Sequence, residues 1–185
     1  MFFSSNSSYQ RDYKLLFSYL ISPRLYVFLK THTKNTRNTT LFLKDDLCYY
    51  VIVHLKFSTN FYNSQLSDIF AYETTVNTKP LLSNTVVVYN FHNIFFHDRL
   101  FLFSTKKDSL KSITDLFPNA SWLEREVAEL HGLNFNGKKD VRNLMLQYGD
   151  TSAPFRKSYP SIGRKEMFYD GLNDLIVQLP VAIQV

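Results

Sequence analysis

At 185 residues, with 45% hydrophobic and 20% charged side chains, the chain has the length for one domain with its own core. A single cysteine, Cys48, excludes an internal disulfide and the four-thiolate set of an iron–sulfur cluster, and no apolar run reaches the roughly 18 residues of a membrane-spanning helix. The formal net charge of +5 is local: between 137 and 165, Lys138, Lys139, Arg142, Arg156, Lys157, Arg164 and Lys165 face only Asp140 and Asp150, and elsewhere the charges balance.

In chain order, residues 1–10 are polar and read as a frayed end. They lack the charged region and cleavage site of a secretory signal, and they are too poor in Arg to favour a transit peptide. Residues 11–22 read as a short helix ended by Pro23. Alternating runs at 24–30 and 39–43, around the polar segment THTKNTRN, predict a hairpin or a pair of edge strands. Residues 47–55, LCYYVIVHL, are ambiguous. Their β-branched and aromatic content suits a strand, whereas Asp45 or Asp46 as an N-cap suits a helix.

A polar loop is expected over 73–84, a strand over 85–91 (TVVVYNF) and another over 99–105 (RLFLFST). Residues 108–117 are expected to form a helix capped by Asp108 or Ser109, with Leu110, Ile113 and Leu116 or Phe117 on one face and Pro118 at its end. The next helix is expected from Trp122 to His131. Ser121 would be its N-cap, paired with Glu124 in a capping box. Leu123, Val127 and Leu130 make its apolar stripe, and Gly132 closes it. Beyond it, Gly137, Gly149, Pro154 and Pro160 mark an extended, turning segment. The apolar run Ile176 to Val185 reads as a strand for a partner.

No arrangement of catalytic groups is visible. Glu124, Glu126, Glu129 and His131 lack the spacing of a metal set. The expected use of these acids is ion pairing: Arg125 with Glu129 along the helix, and Glu124 or Glu126 with Arg142 or Arg156 from the following segment. His32, His54, His92, His97 and His131 lie in five separate contexts. All 5 glycines lie after residue 131, so no phosphate-binding loop precedes it, and the sequence shows no visible means of binding NADH or flavin. The basic, aromatic-interleaved segment 137–165 leaves two readings open. It could grip the phosphates and bases of RNA, as in an organelle ribosomal protein, or wrap a neighbouring protein. Abundant Phe (17) and Tyr (12) beside few Gly (5) suggest AT-rich coding, a compositional pointer to an organelle genome.

The stretch WLEREVAELHGLNFNGKKDVRNLMLQYG, followed by PFRKSYP, resembles the signature of the thirty-kilodalton subunit family of respiratory complex I, subunit 9 of the mitochondrial NADH dehydrogenase. The matching positions are Trp122, Glu124, Arg125, Glu126, Gly132, Phe135, Gly137, Asp140, Arg142, Tyr148, Gly149, Pro154, Arg156, Lys157, Tyr159 and Pro160. The chain departs from the pattern at Glu129 for Asp, Lys138 for His, Ser158 for an acid, and Val141 and Phe155 for leucines. The resemblance is dense over about 118–160, looser over 65–117 and thin elsewhere.

It implies an α/β (α+β) fold, a mixed β-sheet flanked by helices, with an extended C-terminal arm. It makes 46–57 a helix and QLSDIFA, 65–71, a strand. Three parts follow: 1–45, variable between lineages; 46–131, the core ending in the signature helix; and 132–185, the basic arm and tail. The resemblance further implies a non-catalytic subunit of the matrix arm of complex I. FMN, iron–sulfur clusters and ubiquinone would lie on partner subunits and none on this chain. The chief partner would be the forty-nine-kilodalton quinone-site subunit, with no nucleic acid, on the matrix side of the mitochondrial inner membrane. The arm is then expected to dock on protein rather than on RNA.

Overall fold

The computed structural model describes residues 26–31, 38–44, 47–57, 64–75, 83–94, 98–105 and 109–182. The helix expected over 11–22 lies outside them. Five strands form a mixed sheet in the order β1-β2-β5-β4-β3. β1 (Tyr26–Thr31) and β2 (Asn38–Lys44) pair antiparallel, as their alternating sequences predict. β2 runs parallel to β5 (Asp98–Thr105). β4 (Ser83–Asn93) lies antiparallel to both β5 and β3 (Ser64–Thr75). The N-terminal strands thus belong to the same sheet as the rest.

Helix α1, Leu47–Phe57, resolves the ambiguous LCYYVIVHL in favour of helix. Its Cys48, Val51, Ile52 and Leu55 are buried against Leu41 and Leu43 of β2, Leu102 of β5 and Tyr89 of β4. That burial pushes the Cys48 thiol up to about 12, well away from the thiolate that reactive cysteines need. On the opposite sheet face Val86 and Val88 are buried and Phe42 stacks on Phe103 with ring centroids 4.6 Å apart. In β3 the register shifts between Leu66 and Asp68. This bulge sets Leu66 and Ile69, three positions apart, on one buried face, which strict alternation would forbid.

The helix expected over 108–117 does not form. Ser109–Lys111 is a short strand, β6, parallel to β7 (Asn134–Asn136), and the chain then turns, with the Phe117 amide donating to the Ile113 carbonyl at 2.9 Å. The expected apolar residues are still buried together: Leu110, Ile113 and Phe117 all enter the core. Hydrogen bonds to neighbours override the weak helical propensity of a segment with two serines, a threonine and an isoleucine.

Helix α2, Ala120–His131, begins two residues before the expected start, and Asn119 stands at its N-cap without a capping side-chain bond. The turn before it satisfies the first amides instead. The Ala120 amide donates to the Phe117 carbonyl and the Ser121 amide to the Pro118 carbonyl. The Asn119 side chain ties α2 to β3 by donating to the Leu66 carbonyl at 2.8 Å. The expected capping box at Ser121 and Glu124 is therefore absent. The buried stripe runs through Ala120, Glu124, Val127 and His131, with Leu123 packed beside it.

After α2 the chain is extended and turning, as expected, until a last hairpin. β8 (Lys165–Asp170) pairs antiparallel with β9 (Leu175–Pro180). The strand expected for a partner from Ile176 onward is thus partly paired within its own chain, and 183–185 lie outside the described residues.

Candidate docking site

The signature residues converge where α2 meets the segment that follows it. Glu124 is fully buried. Its carboxylate accepts from Ser112 Oγ at 2.7 Å, from the Ile113 amide at 2.8 Å and from Lys138 Nζ at 3.1 Å. Lys138 donates a second bond to the Ser121 carbonyl at 2.9 Å, and only 3% of its side chain is exposed. One buried carboxylate therefore joins three pieces of chain: the turn at 112–113, helix α2 and the root of the arm. An ion pair removed from water needs this full set of hydrogen bonds to hold.

Farther along α2, Arg125 donates from Nε to the Arg142 carbonyl at 2.8 Å and from Nη2 to the Asn143 carbonyl at 3.0 Å, with Asp140 at 3.5 Å. Asp140 accepts both Nε and Nη2 of Arg142, at 3.0 and 2.9 Å. The Arg142 side chain and amide hold the Asp140 carboxyl well below the usual carboxylate range. Glu129 accepts the amides of Leu144 (2.7 Å), Met145 (2.5 Å) and Leu146 (3.4 Å), and so caps that turn of the arm.

At the helix C-terminus Gly132 takes the left-handed conformation, φ +63°, and Arg156 lies across it, donating to the His131 carbonyl at 2.8 Å and the Gly132 carbonyl at 2.7 Å. A Cβ on Gly132 would stand 2.6 Å from Arg156, so glycine is needed there for two reasons. The guanidinium sits at the negative end of the helix dipole. The Phe155 amide donates to the Leu130 carbonyl at 2.9 Å, and the Lys157 amide donates to Glu73 of β3 at 2.5 Å. His131 is buried with its Nδ1 unpartnered, and burial lowers its pKa.

The acids of α2 thus hold the arm, but not through the expected pairs. Arg125 and Glu129 do not bond each other. Glu124 takes Lys138 rather than Arg142 or Arg156, because Arg142 folds back on Asp140 and Arg156 serves carbonyls. Glu126 takes no partner among the described residues. Lys138, a departure from the signature, and Asn119 and Ser112, outside its matching positions, are the structural residues that sequence reasoning missed. Lys138 carried one signal, a charged residue where the pattern has a ring.

The remaining signature positions shape the arm. Phe135 is buried, Gly137 and Gly149 both take φ +84°, and Pro154 follows Ala153 at φ +49°. Pro160 precedes a turn in which Gly163 donates to its carbonyl. Tyr159 stacks under Arg164 at 5.4 Å. Between α2 and the arm lies an open cavity of about 710 Å³ bordered by Arg125, Arg142, Arg156 and Arg164. Outward, the arm shows large apolar side chains, Val141, Met145, Tyr148, Phe155 and Ile162, and Trp122 of α2 is exposed as well. Among the described residues no group of three or more His, Cys, Asp and Glu could hold a metal ion, and no helix is long and apolar enough to cross a membrane.

A family model described as "Respiratory-chain NADH dehydrogenase, 30 Kd subunit" matches residues 26–165, from β1 to the first residue of β8. The chain belongs to this family. Among its relatives, an NADH-quinone oxidoreductase subunit of Ruegeria pomeroyi is 37% identical over 99 residues, covering 52% of this chain and 50% of the relative. The mitochondrial NADH-ubiquinone oxidoreductase 30.4 kDa subunit of Neurospora crassa is 33% identical over 148 residues, covering 75% of this chain and 51% of the relative. The chain therefore spans about half the length of these curated relatives. A protein in the structure of a membrane-bound sulfane sulfur reductase, an archaeal respiratory membrane complex, superposes with a TM-score of 0.65 over 83% of this chain and 86% of its own, at 16% identity. At that identity the likeness is one of fold, which this member of the respiratory family shares.

Proposed function

We propose that the chain is a structural subunit of the peripheral arm of a proton-pumping NADH:quinone oxidoreductase in the mitochondrial inner membrane, on the matrix side. It docks through residues 132–165 onto the forty-nine-kilodalton quinone-site subunit. FMN, iron–sulfur clusters and the quinone belong to its neighbours, and it keeps the neighbour's electron path in register. The observation that carries this reading is the two-sided character of the arm. Its inner side is tied to α2 by polar bonds from Glu124, Arg125, Glu129 and Arg156. Its outer side presents aromatic and aliphatic residues, with Tyr148 exposed to 78%. Aromatic side chains and Met are enriched in the buried centres of protein interfaces.

The same geometry weakens the RNA reading. Lys138 is buried against Glu124 and Arg142 is paired with Asp140, which removes part of a phosphate-gripping surface. Native electrophoresis of gently solubilised mitochondrial membranes tests the proposal. The chain is expected to co-migrate with a large band that oxidises NADH in the gel. Tyr148→Ala together with Phe155→Ala is expected to deplete it from that band while leaving the isolated fold intact. Co-migration with ribonuclease-sensitive particles would overturn the proposal.

A further inference from the structure

We infer that the terminal hairpin is a docking tongue: the outer edge of β9 takes a strand of the larger neighbouring subunit, and the same neighbour covers both hairpin faces. This deepens the docking reading and rests on it. The hairpin lies outside the part of the chain that the family model matches, apart from Lys165. Among the described residues β8 and β9 pair only with each other. A two-stranded hairpin alone is marginal in water.

Both faces of this hairpin carry large apolar side chains. Residues directly opposite share a face, so Phe168, Val177, Leu175 and Leu179 lie on one side with Glu166 and Asp170, and Met167, Tyr169 and Ile176 on the other with Lys165 and Gln178. Met167 and Ile176 are exposed to 70% and 75%, and Leu172 at the turn to 96%. A strand apolar on both faces is built to be covered on both.

The two edges are unequal. The Val181 amide donates to the Arg164 carbonyl at 3.1 Å, which makes 181 and 164 a hydrogen-bonded pair. Bonded and non-bonded pairs alternate along an antiparallel ladder. Ile176 and Gln178 therefore turn their amides away from β8, and Met167 and Tyr169 turn theirs away from β9. β8 carries Lys165, Glu166 and Asp170, the charges that guard an edge, and β9 carries none. Pro180 occupies an outward position, where its missing N–H leaves the ladder to β8 intact.

A second copy of this chain is the poorer occupant. Symmetric β9–β9 pairing about Gln178 sets Ile176 against the partner's Pro180, which has no amide to give. The resulting four-stranded ribbon would still expose both apolar faces. A larger neighbour with a free sheet edge meets both needs.

Amide hydrogen exchange, read residue by residue, compares the free chain with the intact respiratory complex. The Ile176 and Gln178 amides are expected to slow on the order of 100-fold in the complex, while the Met167 and Tyr169 amides are unchanged. Gln178→Pro removes an outward donor from β9, and Lys165→Pro does the same on β8 without taking an apolar side chain from either face. Only Gln178→Pro is expected to lower incorporation into the complex, about tenfold or more. Unprotected Ile176 and Gln178 amides, equal loss in both variants, or the same protection in a self-associated free chain would overturn the inference. Failure of the docking reading itself would look different, since the wild-type chain would then be missing from the complex.

Discussion

Glu124 shows how one side chain can carry an arrangement of several segments. With its carboxylate wholly buried and Lys138 almost so, neither charge reaches water. Glu124→Gln leaves the Lys138 ammonium without its counter-charge, and a loss of about 3–5 kcal/mol in unfolding free energy is expected. Adding Lys138→Met should restore part of it, so that a double-mutant cycle by urea denaturation shows strong coupling. Equal and additive losses would mean that the pair does not couple. His131 makes a second prediction, in pH. Burial lowers its pKa from the ordinary 6.5, so the unfolded chain takes up this proton first as pH falls. Its stability contribution is complete above 6.5 and declines as pH drops from 6.5 towards the folded value. His131→Leu should flatten that slope in a series of denaturation curves, leaving the separate loss below pH 3.8 that the lowered Asp140 imposes.

At the scale of elements, the arm's first loop hangs on Asp140, which joins Arg125 of α2 to Arg142. Asp140→Ala is expected to speed tryptic cleavage at Lys139 and Arg142 severalfold while the melting temperature of the sheet hardly moves. Unaltered cleavage would show that Arg125's bonds to the backbone suffice. The main strands are legible because their patterns are local, as in the alternation of RLYVFLK and RLFLFST, whereas α1 is ambiguous from its own residues and is read as a helix only through the family resemblance. The segment 108–117 misleads because its apolar spacing fits a helix and a strand-then-turn equally well. What chooses between them is the Glu124 carboxylate, distant in sequence, bonded to Ser112 and the Ile113 amide. The capping box fails for the same reason, since its glutamate serves that buried bond. The signature identifies which residues meet at the arm's root. It does not say which acid takes which base, because Asp140 and Arg142, two residues apart, close on each other first.

Taken whole, the molecule divides its labour between a sheet that needs nothing further on its α-helical face and a C-terminal third that keeps much apolar surface outward. The parallel pairing of β2 with β5 bears on how this is made. Register joins Asn38 to Arg99 and Lys44 to Thr105, so about sixty residues must be synthesised between the two strands. Until then β1 and β2 form only a ribbon of two strands, too weak to persist alone. β3, β4 and β5 follow one another as a meander and can zip locally as they emerge. β1 and β2 are thus translated well before the strand that secures them, and pairing over such separation is slow. A nascent chain leaving the ribosome would carry an unguarded β1–β2 ribbon through that interval, which makes this segment the natural client of a chaperone.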